Sequence, residues 1–322
     1  MQMTFPSNHV GRLRGVIADL RATSGRSPCP HGLCPAADAC AATRSCLSRP
    51  ASQDRLAAVL RAVRRMRNAL GDRHSLTELA QVALLSPFHF HRTFRQVTGA
   101  TPSRFLTALR MAEARSLLVT TDMNITDVCF SVGYSSLGTF TTQFTRLVGT
   151  PPSRFRHAVT TFGDLLMGTL LDRAVPPPRS VRGEPQVVAT VLGGPDPAAP
   201  AVVGLFPSGV PQGKPATSAV VVPPESVAFT GLTEGHYHVL ATVLDPAATV
   251  ADMLRGQGRP AVLVGAGSSP VHVAAGQSAP ESVGVRLRAP QPTDPPIVLA
   301  VPLLMAMDVL GNTRLRVPVA ER

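Results

Sequence analysis

Four thiols crowd the start of the chain. "SPCPHGLCPAADACAATRSC" sets Cys29, Cys34, Cys40 and Cys46 with gaps of four, five and five residues between them, and His31 among them. In a cytosolic protein such clusters point to metal or redox chemistry before structural disulfides. The spacing is not that of a C-x₂-C zinc site, and little neighbouring sequence would fold to hold one. A metal or redox role therefore stands beside a plainer reading, an alanine-rich tail with incidental cysteines. Cys129 falls at an alanine-like core position and is expected to pack inertly. Further on, His236 and His238 share one face of a candidate strand, and His272 could approach them. No carboxylate or cysteine stands at matching spacing, which favours exposed strand histidines over ligands. No G-x-S-x-G, Walker loop or paired-carboxylate pattern occurs, so neither catalysis nor a cofactor is expected. A different chemistry lies in "SPFHFHRTFRQVTG". At helical spacing Phe90 and Phe94 turn inward, leaving Phe88, His91, Arg92 and Arg95 outside. A guanidinium fork beside an imidazole and an exposed ring suits recognition of planar acceptors and anions.

The distribution of charge agrees. The chain of 322 residues has 31 Lys and Arg against 20 Asp and Glu, a net charge of +11, and arginine supplies all but Lys214 of the basic set. Residues 1–182 hold 23 arginines and 10 acids; residues 183–322 hold 8 basic and 10 acidic side chains. A basic half joined to a nearly neutral half implies a polyanionic partner for the first half alone. No run approaches the ~20 apolar residues of a membrane span, and Arg12, Arg14 and Asp19 interrupt any signal-peptide core, so a cytoplasmic location is expected.

The elements that must position these residues come in four zones: a cysteine-containing segment over 1–50, helices over 51–157, a linker over 158–182 ending in "PPPRSVRG", and a Pro- and Gly-punctuated region over 183–322. The fold class expected is an all-α domain followed by an all-β, sandwich-like domain. In the second zone Leu56, Val59, Leu60, Val63 and Met66 recur at helical spacing, with Ser52 as N-cap. Ser75 with Glu78 caps a second helix, and Ser86 with Pro87 starts a third that Gly99 ends. A longer helix follows from about Ser103 to Val119. The pattern then restarts. "GATPSRF" at 99–105 returns as "GTPPSRF" at 149–155, Leu76–Ala80 matches Ile125–Cys129 at an offset of 49, and Phe90, Phe94 and Gly99 match Phe140, Phe144 and Gly149 at 50. The extra residue falls between Gly133 and Phe140. A unit of two short helices and a tight turn is thus written twice, and such a unit can set its second helix in a major groove.

With "LSPFHFHRTFRQVTGATPSRFL", "LRMAEARSLL" and "ITDVCFSVGYSSLGTFTTQFTRLVGTPPSRFR", the stretch from about Leu56 to Arg156 resembles the DNA-binding domain of AraC/XylS transcription regulators. The resemblance covers about 100 residues and implies a bacterial transcription regulator, an activator in type, with double-stranded DNA as partner. It places Phe88, His91 and Arg92 at base edges, Arg95 and Gln96 near the backbone, and Arg104 and Arg154 at phosphates. The second reader would be Ser135, Ser136, Leu137, Gly138, Thr141 and Thr142. Two departures matter. Leu84 stands where many members have the turn glycine, and Thr142 stands where Arg92 stands in the first unit. RNA polymerase, a small-molecule effector and a second copy of the chain are further candidate partners. Alkyl-repair regulators of this kind carry a methyl-accepting cysteine late in the chain, and none follows Cys129, so that activity is not expected. The alternatives are an architectural DNA-binding protein without a ligand, and an enzyme domain tethered to DNA.

In the last zone nine short Val/Ala/Leu runs, from "QVVATVLG" to "IVLAVPLL", read as strands and "DPAATVADMLRG" as one short helix. "VAFTGLTEGHYHVLATVLD" weakly resembles a hairpin of transthyretin-like or carboxypeptidase-regulatory-like sandwiches. Sensing, dimerisation or protein contact are the roles left open for this region.

Overall fold

The computed structural model describes residues 49–174, 184–193, 199–255 and 263–311, so Cys29, Cys34, Cys40, Cys46 and His31 lie outside the described residues. The helical half runs α1 (Arg49–Asn68), α2 (Leu76–Val82), α3 (Pro87–Thr98), α4 (Pro102–Thr120), α5 (Ile125–Ser131), α6 (Leu137–Val148) and α7 (Pro152–Phe162). Ser75, Ser86, Thr101, Asn124 and Ser136 each accept a hydrogen bond from the backbone N–H three residues on, satisfying a donor that the helix leaves unpaired. Ser52 does not cap α1 as expected. The helix starts at Arg49 and takes Pro50 in its first turn, where a missing N–H is harmless. Glu78 likewise turns away from the capping-box role, and its carboxylate accepts from Arg65 at 3.0 Å.

The repeat holds at the level of single hydrogen bonds. Leu84 N–H donates to Gln81 and Leu85 N–H to Ala80; Gly133 N–H donates to Phe130 and Tyr134 N–H to Cys129. The caps Ser86 and Ser136 differ by one more position than these turns do, which makes Ser135 the extra residue. In both units a phenylalanine from the repeated heptapeptide closes the structure. Phe94 meets Phe90 and Phe105 edge-on at 5.4 Å, and Phe144 meets Phe140 and Phe155 at 5.6 and 5.7 Å. All six rings are fully buried, and Cys129 is buried with them.

The remaining elements are α8 (Met167–Ala174), β1 (Val187–Leu192), β2 (Ala201–Phe206), β3 (Thr217–Val221), β4 (Ser226–Phe229), β5 (Gly235–Val243), α9 (Val250–Arg255), β6 (Val264–Ala266), β7 (Val271–Val273), β8 (Glu281–Arg286) and α10 (Val301–Gly311). One sheet has the order β4-β1-β8, with β1 and β8 parallel; the other runs β3-β2-β5-β6, with β7 also on β5. Inward residues of both sheets, among them Val187, Ala189 and Val191 with Val203, Val239 and Val285, share one apolar cluster.

Alternation then turns Val202 and Val220 to the other face, where they pack against the helical core. That core also takes in Val210, Leu244, Leu254, Val298 and Leu303 from the C-terminal half. Three stretches differ from expectation. "VAFTGLTEGHYHVLATVLD" is not a hairpin: its strands part into different sheets, β4 pairing with β1 and β5 with β2, so the turn between them crosses from one sheet to the other. Residues 158–182, expected as a linker, include the end of α7 and all of α8, whose Met167, Leu170 and Leu171 are buried. "IVLAVPLL" is not a strand: its end opens α10, with Pro302 in the first turn and Leu303 and Ala306 buried. A short apolar run has no period that separates strand from helix, and packing against α7, α8 and α9 decides. Among the described residues no helix is long and apolar enough to cross a membrane.

The two turns test one backbone constraint in two ways. Leu84 adopts φ 59°, the single non-glycine residue at positive φ among the described residues, and is 77% exposed. Gly133 adopts φ 84°, and a Cβ there would lie 2.8 Å from the carbonyl oxygens of Leu70 and Gly71. A left-handed L-residue costs about 1–2 kcal/mol, and glycine returns about 0.5–1 kcal/mol of that through its freer unfolded chain. Leu84→Gly is therefore expected to raise stability by up to about 1 kcal/mol, whereas Gly133→Ala should lower it by about 2 kcal/mol or more. Urea unfolding of the two variants checks both signs.

Candidate nucleic-acid interface

Each candidate reader helix, α3 and α6, is held by its inner face. Phe90, Thr93, Phe94 and Thr98 of α3 are buried, as are Phe140, Phe144, Leu147 and Val148 of α6. What remains outside follows from helix geometry. Phe88 is 82% exposed, and His89, His91, Arg92, Arg95 and Gln96 are exposed beside it. On the second unit Ser135, Ser136, Leu137, Gly138 and Thr142 are exposed, and Thr141 is half-buried. The Ser136 hydroxyl already accepts from the Thr139 N–H as the α6 cap, so its hydrogen is the part left to offer. Arg104 and Arg154 stand exposed in the first turns of α4 and α7, just past the two glycine exits. Helix N-termini carry partial positive charge, so these two guanidiniums sit where an anion is already favoured.

Much of the arginine surplus does other work. Arg61 donates to the Val82 and Ala83 carbonyls at 3.3 and 2.9 Å, closing the C-terminal end of α2. Arg65 pairs with Asp72 and Glu78. Arg110 donates to the Leu70 and Asp72 carbonyls and lies 5.9 Å from the Tyr134 ring centre. Arg156 donates to the Met123 carbonyl, and Arg115 to those of Val298 and Leu299. The side chains of Arg92, Arg95, Arg104 and Arg154 make no hydrogen bond or ion pair with the described residues, which leaves their charge to the outer surface.

A feature that sequence reasoning missed joins the two units from behind. Gly209 lies against the Gly99 carbonyl, where an added Cβ would sit 3.0 Å from the oxygen. Val210 enters the helical core. Gly213 N–H donates to the Leu147 carbonyl at 2.8 Å, and Pro211's carbonyl accepts from Val298 and Leu299. Ala300 N–H reaches the Val148 carbonyl at 3.1 Å. The segment 209–213, with 298–300, thus touches the exits of both reader helices while their N-terminal turns stay open. Its only sequence signal is a glycine at each end of "GVPQG". Nearby, the pKa of His238 is pushed down, first by burial and then by the charge of Arg95. His236 does not join it in a ligand set; its ring lies tilted against that of His272, centroids 4.6 Å apart, across the β5–β7 pair. No group of three or more His, Cys, Asp or Glu side chains suited to a metal ion occurs among the described residues.

Comparison with known proteins places the same stretch. A family described as a helix-turn-helix domain matches residues 79–158. The bifunctional transcriptional activator/DNA repair enzyme AdaA of Bacillus subtilis is 34% identical over 83 residues, 26% of this chain and 39% of AdaA. The HTH-type transcriptional activator AarP of Providencia stuartii is 30% identical over 98 residues, 30% of this chain and 73% of AarP. Among solved structures, the DNA-binding domain of AdpA in complex with a target DNA is 28% identical, covering 32% of this chain and 93% of that one at a TM-score of 0.31. The match therefore spans less than two fifths of AdaA but nearly three quarters of AarP.

Gly149 is where the second exit and the C-terminal half are pressed together. It adopts φ 103°, and a Cβ would lie 2.8 Å from Leu304 Cδ1. Gly149→Ala is expected to cost about 1–3 kcal/mol through backbone strain plus displaced packing. Thermal unfolding measures it. An unchanged midpoint would mean that α10 does not press on the exit.

Proposed function

The chain belongs to the AraC family of helix-turn-helix regulators, and we propose that it is a sequence-specific DNA-binding transcription regulator that sets α3 and α6 in successive major grooves of one duplex. The observation that carries this reading is the duplicated unit whose inner aromatics are locked while its outer face is open, with Arg92, Arg95, Arg104 and Arg154 unpaired on it. In this reading Arg92 forks onto a guanine, with Phe88 and His91 at neighbouring base edges. Arg95, Gln96, Arg104 and Arg154 hold phosphates and set register. Ser135, Ser136, Leu137, Gly138 and Thr142 read by hydroxyl and methyl contact, with half-buried Thr141 at the edge of that surface. Two readers in one chain call for half-sites about 34 Å apart, and an asymmetric site can be recognised without a second copy.

We take residues 51–157 as the reading domain, and the two sheets over one core as a small sandwich that responds to a ligand or holds a partner. RNA polymerase would be the partner of an activator. The architectural and enzymatic alternatives are less favoured, because an architectural protein has no need of one base-reading fork and the relatives named above are regulators. AdaA, bifunctional by its name, is the case in which repair chemistry accompanies such a domain.

Footprinting across the promoter region of the protein's own gene tests the reading. Arg92→Ala should lose about 1–3 kcal/mol at one base pair and relax preference there. Equal affinity and an unchanged footprint would remove α3 from the grooves. Arg104→Ala and Arg154→Ala should weaken binding on all sequences alike and each reduce the salt slope by about one counterion. Filter binding over a salt series reads that slope.

A further inference from the structure

Between α4 and the outer face of the five-stranded sheet runs a groove of about 1540 Å³. Its walls are mostly apolar, with Leu109 and Ala112 on one side and Val202 and Leu240 on the other. Charges of both signs stand along it. Arg255 pairs with Asp252 at 3.0 Å and Arg288 with Asp294 at 2.7 Å, while Arg67, Lys214, Glu113, Asp245 and Asp308 complete the set. Arg115 is unlike all of these. It is the one charged side chain among the described residues that is buried, at 7% exposure. Its Nη1 donates to the Val298 and Leu299 carbonyls at 3.2 and 3.3 Å, no carboxylate pairs with it, and its buried Nε has no partner. Burial pushes its pKa down to about 10, which leaves it charged at neutral pH. A buried cation facing only carbonyl dipoles, with no counter-charge, is costly to keep. Largely apolar walls with one such charge are the make-up of a small-ligand site.

We propose that this groove binds a small organic anion, an apolar body bearing a carboxylate, with Arg115 as its counter-charge. The proposal rests on reading the chain as a regulator whose C-terminal half responds to a ligand, and it names the chemistry of that ligand. Arg115 holds the 298–299 backbone that Pro211 and Ala300 tie to the reader exits. An anion sharing its donors therefore acts on the segment that joins the two units.

The test uses the full chain and matched probes: butyrate, octanoate and benzoate, each against its primary amide, with acetate and inorganic phosphate reporting charge alone. Calorimetric titration should find at least one of the three carboxylates binding ten-fold or more tightly than its amide, and the same compound should raise Tm. Arg115→Met should reduce that preference below two-fold, with its own Tm lowered by the loss of a donor to the Val298 and Leu299 carbonyls. Should that variant fail to fold, Ala112→Leu fills the groove without touching charge and should abolish binding. Carboxylates and amides binding alike, phosphate matching the best carboxylate, or a preference that survives Arg115→Met would each overturn the proposal. Footprinting without any probe separates the two readings: loss of DNA binding there would sink the regulator and leave the anion site standing.

Discussion

Two trios of phenylalanines decide where everything else can go. In each, a ring from the end of the heptapeptide meets the middle of the reader helix edge-on, so that the positive rim of one ring faces the negative face of the next. Such pairs are directional in a way that aliphatic packing is not. They set the rotation of α3 and α6 about their own axes, and that rotation determines which side chains remain outside. Arg92 is a candidate reader because Phe90 and Phe94 cannot be. Removal of Phe105 or Phe155 would leave the exposed residues in place and take away what aims them.

The arginine surplus divides along the same line. Those that face inward close helix ends and loops through carbonyl oxygens, as Arg61 does for α2 and Arg156 for the turn before α5. Those that face outward have no protein acceptor. Net charge thus overstates the available cationic surface, since among the described residues of the basic half five arginines are spent on the chain's own carbonyls and carboxylates. The second unit is poorer still, because Thr142 stands where its counterpart has Arg92. The two readers are copies in fold and unequal in chemistry.

How much of this can be read from residue order depends on the range of the forces involved. The caps Ser75 and Ser86, the exit glycines Gly99 and Gly149 and the inner phenylalanines are local signals that lie where spacing puts them, whereas Ser52 ends up inside α1 because that helix starts earlier. The same holds for Leu84, whose left-handed backbone follows from its place in a turn that its twin fills with glycine. Misreadings arise where distant packing decides. "IVLAVPLL" has strand composition, but α7, α8 and α9 offer its second half a helix-shaped bed. The stretch 158–182 reads as a tether because Met167, Leu170 and Leu171 are too few to reveal a core contributed mostly by other elements. The segment 209–213 is beyond reach, since nothing in "GVPQG" says which carbonyls it will meet.

That segment has a bearing on what the pair of readers can tolerate. Two helix-turn-helix units joined by a single helix could swing about that joint and adapt to half-sites set at varying distances. Here a second connection runs between their exits, packed against Gly99 of the first unit and hydrogen-bonded to Leu147 and Val148 of the second, so the assembly is braced at two places like a truss. One base pair inserted between half-sites turns the second by roughly a tenth of a helical turn as well as displacing it. A braced pair has no cheap way to follow, so in the proposed mode of binding spacing would be recognised alongside the bases.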